Sequence, residues 1–193
     1  MKIQDLLKKF TVESSAKSNE TPINWHEDFI VHLTRVVRPK VYVELGVYQC
    51  ALFNRVVPYA QKLIGIDNSE EAGKFMKKTA KAKFVRLSTD EYYRELKKHP
   101  IKIDMLFIDA DHSKESVLKD FKHFFPYVSD QGVILLHDGY PKNIAQTKPG
   151  YCGDGFKAIE ELSKHTDDYE MMTIPVTPGL TLCRKRKKHL NWN

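Results

Sequence analysis

The sequence predicts the α/β class: a mostly parallel sheet of seven strands with helices on both faces and an antiparallel closing strand. Three observations predict it. After Pro39, short apolar runs alternate with longer amphipathic stretches, the pattern of repeated strand–helix units. The intervening stretches are long enough for the crossovers that parallel strands require. Near the end, two β-rich runs flank Pro175 to Gly179, a stretch suited to the turn of a hairpin.

The elements follow in order. Residues 1–22 are polar, with Ser14 to Glu20 running toward Pro22, and are expected to form a weak helix and a linker. The folded domain is expected over 23–186, with 187–193 as a basic tail. From Trp25, Phe29, Ile30, Leu33, Val36 and Val37 fall at helical spacing, and Pro39 closes that helix. Strands are expected at Val41 to Leu45, Leu63 to Ile66, Phe84 to Leu87, Ile103 to Ile108 and Val133 to Leu136. Glu70 to Ala80, Asp90 to Lys98, Lys114 to Val128 and Gly155 to His165 supply helices between them. Tyr169 to Ile174 and Leu180 to Cys183 make the terminal hairpin.

Composition bounds the function. The chain has 193 residues, 41% hydrophobic and 29% charged, enough for one domain with a core on a full sheet. No run approaches the roughly 18 apolar residues of a membrane span, and the N-terminus lacks a signal core, so no membrane partner and a cytoplasmic location are expected. Cys50, Cys152 and Cys183 are odd in number and widely spaced, which reads as isolated thiols. The charge of +6 resides largely in Arg184 to Lys188 and in helical lysines such as Lys77, Lys78, Lys97 and Lys98. No aromatic stripe interleaves with them, which argues against a dedicated nucleic-acid module. Assembly into a homo-oligomer stays open.

In parallel sheets ligands bind beyond the carboxyl ends of the strands. Those positions here are acidic with unusual regularity: Glu44, Asp67, Ser88-Thr89-Asp90, Asp109-Ala110-Asp111-His112 and His137-Asp138. Glu44-Leu45-Gly46 opens a turn in which a small residue allows close backbone approach to a ligand, and a carboxylate can pair with a cationic amino group. Tyr48 and Cys50 stand where a Gly-x-Gly-x-x-Gly pyrophosphate cradle would need glycines, so a nicotinamide dehydrogenase is disfavoured. Asp67 can accept both hydroxyls of a ribose; it can also cap the helix that begins near Ser69. His112 has the chemistry of a base working near neutral pH, or of a cap beside Ser113.

Val43-Glu44-Leu45-Gly46, Ile64-Gly65-Ile66-Asp67, the stretch from Phe107 to Ser113 and the stretch from Gly132 to Asp138 together resemble the small class I S-adenosylmethionine-dependent methyltransferases, over roughly residues 25 to 186. The likeness extends to the branch of macrocin-type sugar O-methyltransferases and cephalosporin-hydroxylase-like proteins, and Gly179 to Arg184 is similar to its closing strand. The resemblance implies a Rossmann-like sheet with S-adenosylmethionine as cofactor. It implies that Glu44 and Gly46 meet the methionine part, that Asp67 holds the ribose, that Ser88, Thr89 or Asp90 lies by the adenine, and that Asp109 borders the same pocket. It further implies a magnesium or other divalent ion at Asp109, His137 and Asp138, and His112 as general base. His137 departs from an all-oxygen set: it would draw a softer metal, or turn away and leave two carboxylates. Asp111 is expected to orient His112 or to support the metal from behind.

The reaction implied is metal-assisted methylation of a small hydroxylated acceptor, a sugar or sugar-bearing metabolite. Metal-independent methylation of nitrogen or of a macromolecule, and a nonenzymatic polyanion-binding role, are the alternatives. Residues 139 to 154 form a long loop placed to cover the site, with Tyr140, Lys142 and Tyr151 available to an acceptor. Trp25 and His26 are expected to close the cofactor pocket from the N-terminal side.

Overall fold

Strand order determines where this molecule can bind anything. In the computed structural model, which describes residues 24–164 and 167–186, helix α1 (Trp25–Val37) leads into β1 (Val41–Leu45), α2 (Ala51–Val56) and β2 (Lys62–Asp67). Next come α3 (Glu70–Lys74), β3 (Ala82–Arg86), α4 (Thr89–Lys98), β4 (Ile103–Ile108) and α5 (Lys114–Phe124). The chain ends with β5 (Val128–His137), α6 (Phe156–Leu162), β6 (Tyr169–Ile174) and β7 (Leu180–Lys185). The seven strands lie in the order β3-β2-β1-β4-β5-β7-β6. The first five are parallel, and β7 runs antiparallel to both β5 and β6. The class and the closing hairpin are those expected. The weak helix and linker of 1–22 and the tail of 187–193 lie outside the described residues.

The chain moves outward from β1 to β3 and returns to place β4 on the other side of β1. That reversal opens a crevice beyond the carboxyl ends of β1 and β4, the general position for ligands in such sheets. Side chains alternate across the sheet, so each apolar strand feeds two cores. Val43, Leu45, Ile64, Ile66, Leu106 and Ile108 pack with Phe121, Phe124 and Ile159 of α5 and α6. Tyr42, Leu63, Met105, Phe107 and Leu135 pack with Ile30, Phe53 and Val56 of α1 and α2. Glu44 shares a face with Tyr42, on the α1 side.

Several boundaries differ from the sequence reading. The helix expected over Glu70 to Ala80 stops at Lys74, because the Asn54 side chain takes over the next backbone groups: its amide donates to the Phe75 carbonyl at 2.8 Å and its oxygen accepts the Lys77 amide at 2.8 Å. Gly73 lets this short helix lie against Phe84, whose ring a Cβ would meet at 2.5 Å. The helix from Lys114 ends at Phe124 and passes into a 3-10 turn, Phe125–Tyr127, where Pro126 lacks a helical donor. β5 begins at Val128, five residues before the apolar run, with an irregularity opposite Ile103 to Met105. Val36 and Val37 of α1 face solvent. No helix among the described residues is long and apolar enough to cross a membrane.

Candidate active site

The first half of the site forms where β1 ends. Gly46 has φ +81° and donates to the Ile66 carbonyl at 2.8 Å. A Cβ there would stand 2.2 Å from the Asp109 carbonyl oxygen. The glycine is therefore required by the approach of β4 as much as by any ligand. Glu44 is buried and accepts the Tyr42 hydroxyl at 2.6 Å. Burial pushes its carboxyl up to about 8, against the pull of the Tyr42 hydrogen bond. Asp67 accepts the Val47 and Tyr48 amides on one oxygen at 3.1 and 3.0 Å, and the Ser69 amide on the other at 2.9 Å. It thus holds the β1–α2 turn in place; its bond to the Ser69 amide is a local turn contact, and the N-cap of α3, Ser69, has no side-chain capping bond.

Glu44, Gly46, Asp67, Asp109, His112 and His137 line one cavity of about 580 Å³. Gly46 and Asp67 also border an adjoining cleft of about 310 Å³, walled by Leu87, Ser88, Thr89 and Asp90. Ser88 is committed to a capping box with Glu91 at the start of α4, a Ser-x-x-Glu pattern plain in the sequence. Thr89 neighbours Asp120, whose carboxyl burial pushes up to about 6 against the pull of Thr89. Asp90 pairs with Lys119 at 2.7 Å and lies 3.7 Å from His123. The three expected adenine-side residues thus share one wall, with their side chains largely engaged.

The second half lies at the ends of β4 and β5. His137 Nδ1 lies 2.9 Å from Asp109 Oδ1 and 3.2 Å from Asp138 Oδ1. His112 bridges the same carboxylates, with Nε2 3.3 Å from Asp109 Oδ1 and Nδ1 2.9 Å from Asp138 Oδ2. The Tyr151 carbonyl approaches His112 Nδ1 at 2.7 Å, so the loop over the site touches the proposed base through its backbone. Pairing first with Asp109 and then with Asp138 raises His112 to about 11. Burial disfavours a charged His137, but the Asp109 charge and both carboxylate contacts outweigh it and raise the ring to about 10. Asp138 is driven well below the carboxylate range: burial opposes its charge, and the two histidines overcome that. In this arrangement the two carboxylates favour the protonated form of His112.

The cluster fits a divalent cation. Asp109, His137 and Asp138 offer ligand atoms within 4.8 Å of one another. Asp109 Oδ1 and both His137 nitrogens are buried without an aligned hydrogen bond. Asp111 accepts the Ser113 amide at 2.8 Å and is not one of the three clustered ligand residues. Two neighbours carried little signal in the sequence. Cys152, on the covering loop, lies beside Asp138, and burial followed by that carboxylate's charge pushes its thiol up to about 12. Tyr42 is found only by counting two residues back along the strand from Glu44. His26 lines the cavity as expected, its ring 4.4 Å from that of His137. Burial, then the neighbouring His137 charge, lowers it to about 4. Trp25 instead ties α1 to the β6–β7 turn through Thr177 O at 2.8 Å.

Comparison with known proteins places this geometry. Residues 43–139 match the model of a family described as a methyltransferase domain. An uncharacterized protein of Acanthamoeba polyphaga mimivirus is 32% identical over 111 residues, 50% of each chain, so this chain spans about half the length of that curated relative. An O-methyltransferase from Bacillus cereus, solved with S-adenosylhomocysteine, superposes with a TM-score of 0.71 at 12% identity, over 95% of this chain and 90% of that one. The O-methyltransferase TomG from Streptomyces achromogenes, solved with S-adenosylmethionine, gives 0.67 at 14% identity, over 97% of this chain and 100% of that one. The family match covers half of the sequence and takes in β1, β2, β4 and the end of β5, the strands whose ends build both halves of the cavity: the chain belongs to the class I S-adenosylmethionine-dependent methyltransferases.

Proposed function

We propose that the protein transfers the methyl group of S-adenosylmethionine to a hydroxyl of a small acceptor, a sugar or sugar-bearing metabolite, with a divalent cation held by Asp109, His137 and Asp138. The observation that carries this reading is the position of His112. It borders the cavity that contains Glu44 and Asp67, and it also borders a second cleft of about 690 Å³ lined by Asp111, Ser113, Gly150, Phe156 and Lys157. The residue fitted to move a proton stands between a cofactor-sized cavity and a separate acceptor-sized cleft.

Each residue then has a task. Glu44, oriented by Tyr42, receives the ammonium of the methionine part, and that partner would stabilise the ionised carboxylate. Asp67, its oxygens aimed by three backbone amides, keeps lone pairs for the ribose hydroxyls. Ser88, Thr89 and Asp90 flank the adenine. Gly150 and the Tyr151 carbonyl bring the covering loop to the junction of the two cavities and help exclude water. Asp109, His137 and Asp138 would hold a divalent cation, which when bound would supply the positive charge the carboxylates need and would lower the pKa of an acceptor hydroxyl. His112, relieved of that pairing, takes the hydroxyl proton on its ring nitrogen. The sulfonium methyl is already activated, so the chain's contribution is alignment and proton removal.

The metal-independent alternative has one observation in its favour: His112 and His137 can themselves balance Asp109 and Asp138. The experiment is to follow S-adenosylhomocysteine release with a panel of hydroxylated acceptors, before and after chelation. The proposal expects turnover that chelation abolishes and a divalent ion restores, and a loss of about a hundredfold or more in His112→Ala. Undiminished turnover under chelation would leave the metal-independent reading instead.

A further inference from the structure

The donor set at Asp109, His137 and Asp138 also bears on which cation the site takes. Neighbouring ligands of a six-coordinate ion bound at about 2.1 Å stand about 3 Å apart. His137 Nδ1 is 2.9 Å from Asp109 Oδ1 and 3.2 Å from Asp138 Oδ1, so the nitrogen already has that spacing from one oxygen of each carboxylate. The same distances would suit hydrogen bonds, but the contacts are not aligned as such: both His137 nitrogens and Asp109 Oδ1 are buried with no hydrogen-bond partner. The imidazole neighbours the ring of His26 at 4.4 Å and meets that of Phe107 edge-on at 6.1 Å. A second imidazole, His112, borders both carboxylates. Magnesium favours oxygen donors and retains water, whereas imidazole suits iron, nickel, copper and zinc.

We propose that this centre selects a nitrogen-accepting first-row transition-metal dication over magnesium, and that His137 is the ligand that sets the choice. This rests on the cation site of the proposed function and adds the class of ion.

The test uses the full chain stripped of metal, with Mn2+, Co2+ and Mg2+ as probes. Magnesium-type and nitrogen-containing sites both accept Mn2+, so pulsed EPR of the Mn2+-loaded chain reports the ligand directly. Coupling to a coordinated nitrogen is expected in the native chain and its loss in His137→Asp. Separately, the ratio of the Mg2+ to the Co2+ dissociation constant is expected to fall about tenfold or more in His137→Asp. An absence of nitrogen coupling in the native chain, an unchanged ratio, or no ion bound at millimolar concentration would overturn the proposal. If the variant does not fold, nitrogen coupling in the native chain decides alone. S-adenosylhomocysteine titration of the same metal-free chain separates the two readings: retained cofactor binding with failed metal selection overturns only this inference, and lost cofactor binding overturns the methyltransferase activity itself.

Discussion

Glu44 combines the proposed task of receiving the cofactor's ammonium with a cost to stability. Its carboxyl ionises near 4.5 in an unfolded chain and near 8 when buried in the native one. The native state therefore binds the extra proton between those values, and stability falls as pH rises through that window. Glu44→Gln removes this loss. Its melting temperature relative to the native chain should climb by several degrees from about pH 5 to about pH 8, while its affinity for S-adenosylhomocysteine drops. Thermal melts across that range check the first outcome, and calorimetry the second. At Gly46, alanine would combine a positive φ with a Cβ 2.2 Å from the Asp109 carbonyl oxygen. Gly46→Ala should cost about 3 kcal/mol, seen as a lower urea midpoint. The sequence marked both residues, because an acid and a glycine at a strand end are visible one by one. The pairing of His112 with two carboxylates was not visible, since it joins the ends of two strands, and neither was the Asp138–Cys152 contact, which depends on the path of the loop.

Elements were legible where local patterning and tertiary need agree. β1, β2 and β4 lie where their apolar runs predicted, because parallel strands buried on both faces read as continuous hydrophobic stretches. α3 was overestimated because its termination comes from Asn54, a side chain on a different helix. β5 was underestimated because Val128 pairs with Ile103 across an irregularity: Ser129 to Gln131 carry no β signal, and pairing resumes only at Val133. At α4 the capping box with Ser88 as N-cap gives a sharp start. Ser88→Ala should cost about 1 kcal/mol in equilibrium unfolding, through lost capping. Its effect on cofactor affinity should be smaller than that of Glu44→Gln, since the serine hydroxyl is already spent on Glu91.

At the scale of the molecule, topology joins functions that the sequence keeps far apart. Because β1 and β4 are neighbours at the reversal of strand order, Glu44 and Gly46 share a cavity with Asp109, about sixty residues later in the chain. The basic surplus has a structural use in part: Arg184 pairs with Glu170 at 2.8 Å, and Lys185 lies over the Phe125 ring at 5.1 Å. These contacts bind the closing strand to its surroundings and do not require a polyanion. Isothermal titration of S-adenosylhomocysteine into the full chain tests whether the cavity between β1, β2 and β4 is a cofactor site. Saturable heat with one site per chain and a weaker affinity in Asp67→Ala are expected; no heat at millimolar ligand would rule out a cofactor site there.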